Sequence, residues 1–194
     1  MRTKLIPLVA TLLLTSCSPR DFLTRRLAFD LISTSSTFNA PQPFTLQTGV
    51  ISDKDYLASA SLVLQRHGWI SASNVPCPSG LAPPPCWDLQ LSPSGVETIR
   101  ALVAPDETRS SFTIPVARRE LISIDGVSSQ GSLGDVDFTW RWVPLNEIGA
   151  ALYSADPRYR STVGFRKYDD GWRVLESTTP SGQTLPQALK ASDP

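Results

Sequence analysis

Few side chains in this chain can do chemistry, and their spacing restricts what that chemistry is. His67 is the single histidine among 194 residues, so a multi-histidine metal site cannot be assembled and any Ser-His-Asp arrangement would have to use this residue. It precedes Gly68 at the end of a helical pattern, where the helix dipole favours an imidazole, and a structural role suits it. Asp135 and Asp137 share one face of an alternating segment, opposite Phe138 and Trp140. With Asp125 they supply carboxylates of the type that bind calcium, although a solvated outer face explains the same pattern. The aromatic row Phe138, Trp140, Trp142, with Phe165 and Trp172 on neighbouring segments, is either core beneath a helix or a groove. In the second case Trp140, Trp142 and Trp172 contact a small molecule or peptide. There is no Gly-rich phosphate loop, no Gly-x-Ser-x-Gly and no metal-ligand spacing, so the chain reads as non-enzymatic, without cofactor.

The N-terminus decides the compartment. Arg2 and Lys4 precede an apolar run, Leu5 to Leu14, of signal-peptide length and too short to span a bilayer. The run ends at Leu14-Thr15-Ser16-Cys17. This tetrapeptide resembles the lipobox of bacterial lipoproteins, and the resemblance implies cleavage before Cys17 and a diacylglycerol on its sulfur. Two acyl chains hold a protein stably on a membrane, where one holds it only marginally. Ser18 stands where many Gram-negative lipoproteins retained at the inner membrane have aspartate, so the resemblance implies an outer-membrane lipoprotein facing the periplasm. In that oxidising compartment Cys77 and Cys86 remain as an even pair and are expected to form a disulfide. They bracket Pro78-Ser79-Gly80-Leu81-Ala82-Pro83-Pro84-Pro85. Closing a loop of about ten residues contributes roughly 2–3 kcal/mol, less here because prolines already stiffen the unfolded chain. The spacing differs from the Cys-x-x-Cys of thiol–disulfide enzymes. Leu81, at the tip, is either part of a braced loop or a contact point for a partner.

Removal of residues 1–16 takes away two of 18 basic residues and none of 18 acidic ones, leaving a net charge of 16 − 18 = −2. No single-sign field recruits nucleic acid. Between Arg118 and Glu176 eight basic residues face nine acidic ones, so no charge cluster singles out a substrate.

The elements that position these residues follow in order. Ser18-Pro19-Arg20-Asp21 reads as a helix start, and Phe22, Leu23, Leu27, Leu31 and Ile32 continue an amphipathic period to about Ser33. That helix either docks on the domain or lies on the lipid with Arg20, Arg25 and Arg26 toward headgroups. Residues 33–43 read as linker, and Phe44-Thr45-Leu46 as a short strand. Ser52 opens a second helix that Gly68 stops; strands follow at 68–71 and 87–91, and Ser92-Pro93-Ser94-Gly95 opens another helix. Beyond a break at residues 104–109 the pattern alternates. Strands are expected at 119–127, 136–142, 162–168 and 172–176, the last two joined at Asp169-Asp170-Gly171, with a short helix capped by Asn146 between the second and third. Residues 177–194 read as a flexible tail with one turn at 185–189.

Two further resemblances carry a fold. A helix ending in Gly68-Trp69-Ile70, an excursion, then Leu89-Gln90-Leu91-Ser92-Pro93-Ser94-Gly95 and a helix is similar to the helix-wing-helix stretch of winged-helix domains. Only Lys54, Arg66 and Arg100 are basic between Ser52 and Ala104, which departs from the DNA-binding members and implies a protein-contact module. The stretch from Phe165 to Val174 resembles the terminal hairpin of NTF2-like and cystatin-like domains, implying a curved sheet against a helix. The expectation is therefore an α+β lipoprotein with leader 1–16; lipidated N-terminus, helix and linker 17–43; winged-helix-like segment with a disulfide-closed wing 44–104; four-stranded antiparallel segment 105–176; and tail 177–194. Its expected partners are the membrane and another envelope protein, with a non-catalytic accessory role.

Overall fold

Strict period-two burial runs through Val136, Phe138, Trp140 and Trp142, all at most 2% exposed, and it fixes a strand whose inner face must be covered. In the computed structural model, which describes residues 22–80, 84–103, 110–177 and 182–192, that strand is β6 (Leu133–Pro144). It lies between β5 (Ser111–Gln130) and β7 (Arg158–Tyr168). β8 (Gly171–Val174) extends β7 through the expected Asp169-Asp170 turn. The sheet has five strands where four were expected, because β1 (Gln42–Gln47) pairs antiparallel with the first residues of β5. β5 is correspondingly longer than 119–127. It begins at Ser111 and carries Pro115 opposite Pro43, an edge pairing that two residues without N–H groups tolerate.

Three helices cover the inner face. α1 (Arg25–Thr34) starts at Thr24, whose hydroxyl accepts from Leu27 N; the expected start at Ser18-Pro19 lies outside the described residues. The expected linker instead contains a further turn, α2 (Ser36–Asn39), which buries Phe38, and the first residues of β1. The expected flexible tail contains α7 (Leu185–Ser192), with Leu185, Ala188 and Leu189 buried in the same core. A helix forms there because Thr184 and Gln187 bond each other across the first turn, as a capping box does.

The second sheet is three-stranded, in the order β2 (Gly49–Ser52), β4 (Cys86–Leu91), β3 (Ile70–Val75). Ser52 caps α3 (Asp53–Tyr56) as its type predicts, but the helix breaks at Leu57-Ala58 and resumes as α4 (Ser59–Arg66). His67 ends α4, and Gly68 follows at φ 74°. Ser92 caps α5 (Pro93–Arg100), and Asn146 caps α6 (Glu147–Leu152).

Two apolar cores result, and β5 belongs to both. Ile114 and Val116 lie in the core of the three-stranded unit with Leu64, Ile70, Leu89, Ile99 and Ile148. Ala117, Leu121 and Ile124 lie in the other, with the β6 aromatics and the three helices. The junction is tight. Leu145 N donates to Val116 O at 2.9 Å, Asn146 Nδ2 donates to Pro115 O at 2.7 Å, and Gly149 of α6 presses on the same Val116 carbonyl.

Candidate functional site

The best-defined surface feature is the β3–β4 hairpin. Cys86 opens β4 and is fully buried, and its bond to Cys77 closes the excursion, as expected from the pairing of the two cysteines. The base of the hairpin is braced from below. Trp87 stacks on Tyr56 with ring centroids 4.3 Å apart, Trp87 Nε1 donates to Asp53 Oδ1 at 2.8 Å, and Tyr56 Oη donates to Gln65 Oε1 at 2.8 Å. Each of these bonds joins the hairpin or its supporting helices, so the disulfide edge is held on a rigid base. Leu81, the candidate contact at the tip, and Cys17, the candidate lipidation site, lie outside the described residues.

The aromatic row forms core and not a groove. Trp140, Trp142 and Trp172 are 0%, 2% and 6% exposed and sit under α1, α2 and α7. Trp140 and Trp142 meet edge to face at 5.3 Å, and Tyr159 stacks on Trp140. The Arg119 guanidinium lies 4.4 Å from the Trp142 ring centroid while its Nη1 donates to Thr37 O, closing the row from the α2 side. The burial of the three tryptophans comes from cover that the sequence reading had only as a linker and one turn, α2 and α7. The polar end of the row is satisfied internally: Trp140 Nε1 donates to Ser161 Oγ at 2.9 Å, and Ser161 Oγ lies 2.6 Å from Ser192 Oγ.

Two of the three aspartates have hydroxyl partners. Asp125 occupies an irregularity of β5, where its carboxylate accepts from Thr139 Oγ1 at 2.6 Å and Ser123 Oγ at 2.7 Å. The Thr139 bond, then the Ser123 bond, hold its carboxyl below the ordinary carboxylate range, with Arg160 and Arg25 adding to the effect against desolvation. Asp137 accepts from Thr162 Oγ1 at 2.6 Å. Among the described residues no three His, Cys, Asp or Glu side chains gather as metal ligands would. His67 stacks on Trp69 at 4.8 Å and 14°, in agreement with a structural role.

Sequence reasoning missed one cavity. A cleft of about 890 Å³ is bounded by Arg25 of α1, Ala188 and Ser192 of α7, and Ile124, Phe138 and Ser161, which are register neighbours across β5, β6 and β7. Its available signal was Ser161, a polar residue at an inward position in step with Val163 and Phe165. The cleft's polar groups bond one another: Arg25 donates to Asp125 O at 3.0 Å and Thr162 Oγ1 to Asp137 Oδ1 at 2.6 Å. Among the described residues no helix is long and apolar enough to cross a membrane. A scan against protein-family models, a search of curated proteins and a search of solved structures each found no match.

Proposed function

We propose that the chain is an envelope lipoprotein, anchored through Cys17 and facing the periplasm at the outer membrane, that acts as a non-catalytic adaptor. The observation that carries this reading is the placement of the two cores along β5. The chain enters near the C-terminal end of β5, where Leu23 lies against Gly134, opposite Ser129 in the ladder. The three-stranded unit with the disulfide hairpin is built on the N-terminal end. Twenty residues of strand reach up to about 60 Å, so an anchor at one end leaves the other free to meet a partner away from the lipid. The order β2, α3, α4, β3, β4 with sheet order β2-β4-β3 supports a winged-helix-like reading of this unit. Its few basic residues favour protein over nucleic acid as the partner. Cross-linking of intact cells followed by purification of the lipidated protein tests the proposal. An envelope protein recovered in stoichiometric amount, and lost on Leu81→Asp without loss of folding, is the expected result; recovery of monomer alone counts against an adaptor.

A further inference from the structure

Three exposed apolar side chains lie at the end of the five-stranded sheet where the chain enters. Phe22 is 65% exposed, Leu133 39% and Tyr168 43%. Their proximity follows from the pairing. Leu133 is the first residue of β6 after the Gly131-Ser132 turn, it lies opposite Arg166 of β7, and Lys167 N donates to Ser132 O at 2.8 Å, tying the β5–β6 turn to the β7–β8 turn. Tyr168 begins the second turn. A Cβ on Gly134, next to Leu133, would lie 2.6 Å from Leu23 Cδ2, which puts the Phe22–Leu23 entry beside both hairpins. The cations of this end gather around the phenol: Arg166 and Arg173 hold their guanidinium carbons 5.7 and 5.1 Å from the Tyr168 ring centroid. Of the two turn carboxylates, Asp170 is ion-paired with Arg173.

We infer that this end, Phe22 with the tips carrying Leu133 and Tyr168, rests on the lipid surface and fixes the orientation of the protein. The inference rests on the lipid anchor proposed above. Phe22 stands five residues after Cys17, at most about 17 Å of extended chain, so a lipidated Cys17 brings this end and no other to the headgroups. An aromatic phenol flanked by arginines suits that depth, with apolar ring body below and guanidinium groups at the phosphates. A lone anchor would leave the domain free to tumble on its tether; a seated sheet end holds β5 and the hairpin beyond it pointed away from the membrane.

The test uses the mature lipidated protein in vesicles of phosphatidylethanolamine and phosphatidylglycerol. An environment-sensitive fluorophore is placed at Leu133→Cys, at Tyr168→Cys, or at Leu57→Cys, an exposed site in the three-stranded unit. Labels at 133 and 168 are expected to lose roughly half of their emission to lipids brominated near the headgroup end of the acyl chains, as groups about 5–10 Å into the boundary do, and the label at 57 none. Vesicle-bound protein whose labels at 133 and 168 are unquenched overturns the seating while leaving the anchor intact. Labels shifted to the blue without bromine quenching overturn it in favour of a protein, a second copy included, covering this end. Protein that is recovered without lipid and does not float with vesicles overturns the anchor and the seating together.

Discussion

Replacing Gly149 with alanine sets two effects of opposite sign against each other, and the structure says which wins. Gly149 is the third residue of α6, and alanine in a helix is favoured over glycine by about 1 kcal/mol. A Cβ at Gly149 would lie 1.8 Å from Val116 O, where real Cβ contacts stay above 3.0 Å. At least 3.0 − 1.8 = 1.2 Å of movement is required. The carbonyl cannot supply it, because it accepts from Leu145 N at 2.9 Å within a strand shared by both cores. The helix must lift, which disturbs Ile148, 1% exposed, and the Asn146 Oδ1 cap bond from Gly149 N at 2.9 Å. Overpacking of this kind costs about 1–3 kcal/mol and a weakened cap about 1. Net destabilisation of about 1–3 kcal/mol is expected, read by urea unfolding of the unlipidated mature chain followed by circular dichroism and tryptophan fluorescence. Gly95 provides a replicate. It is also the third residue of a capped helix, and its Cβ would lie 1.9 Å from Trp69 O, a carbonyl that accepts from Ser92 N at 3.0 Å. Ala150→Gly, at an exposed position of α6, isolates propensity and should cost about 1 kcal/mol. If Gly149→Ala unfolds at the same urea concentration as the parent or a higher one, the close approach is not a constraint and the rigid junction is wrong.

Other perturbations follow from the same contacts. Cys17→Ala should move the protein from the membrane to the soluble fraction; unchanged fractionation refutes lipidation. Replacing Cys77 and Cys86 together with alanine should cost about 2–3 kcal/mol or somewhat less by the chain-entropy argument, measured by denaturant unfolding, and a cost near zero would show that the prolines alone hold the hairpin. Trp87 is half-buried where the other four tryptophans are at most 9% exposed, so Trp87→Phe should remove most acrylamide-quenchable emission; quenching that persists undiminished would mean that the buried tryptophans are open to solvent. Thr139→Val deletes the strongest bond holding down the Asp125 carboxyl and should raise its pKa toward the ordinary 3.8. Because that folded-state pKa is depressed, its stabilisation is complete above the unfolded value and is lost as pH falls from about 3.8 through the folded value. The variant should narrow that acid-side loss, and an unchanged carboxyl-carbon titration of Asp125 by NMR would contradict the assignment.

What the sequence made legible was mostly local. Ser52, Ser92 and Asn146 announced their helices through capping chemistry, Asp169-Asp170 its hairpin, and the period-two aromatics β6. The α+β class followed from such signals, and the disulfide from the even pair Cys77 and Cys86. What stayed hidden depended on distant pairing or on cover. Phe44 to Leu46 reads as a strand, but nothing near it says that its partner lies some seventy residues onward, at Ile114; hence five strands and not four. The aromatic face read as core beneath a helix with a groove as the alternative, and the decision belongs to α2 and α7. The first is a four-residue turn too short for periodicity, and the second carries a Thr184–Gln187 capping signal inside a stretch whose prolines suggest disorder. The cleft between α1 and α7 was invisible for the same reason.

The chain leaves the five-stranded sheet at the end of β1 and returns at the start of β5, two adjacent strands, and Thr48 N donates to Ser110 O at 2.8 Å where the paths meet. In topological terms the three-stranded unit is an insertion into a β-hairpin, with its entry and exit side by side. Such a site tolerates exchange of what it carries, since the host strands stay in register whatever spans them. The graft is anchored by Ile114, Val116 and Ile148 of the host chain, so a replacement unit would have to offer them an apolar surface. The five-stranded body is then a reusable stand, and the inserted unit the part that can change wherever it does not face those three side chains.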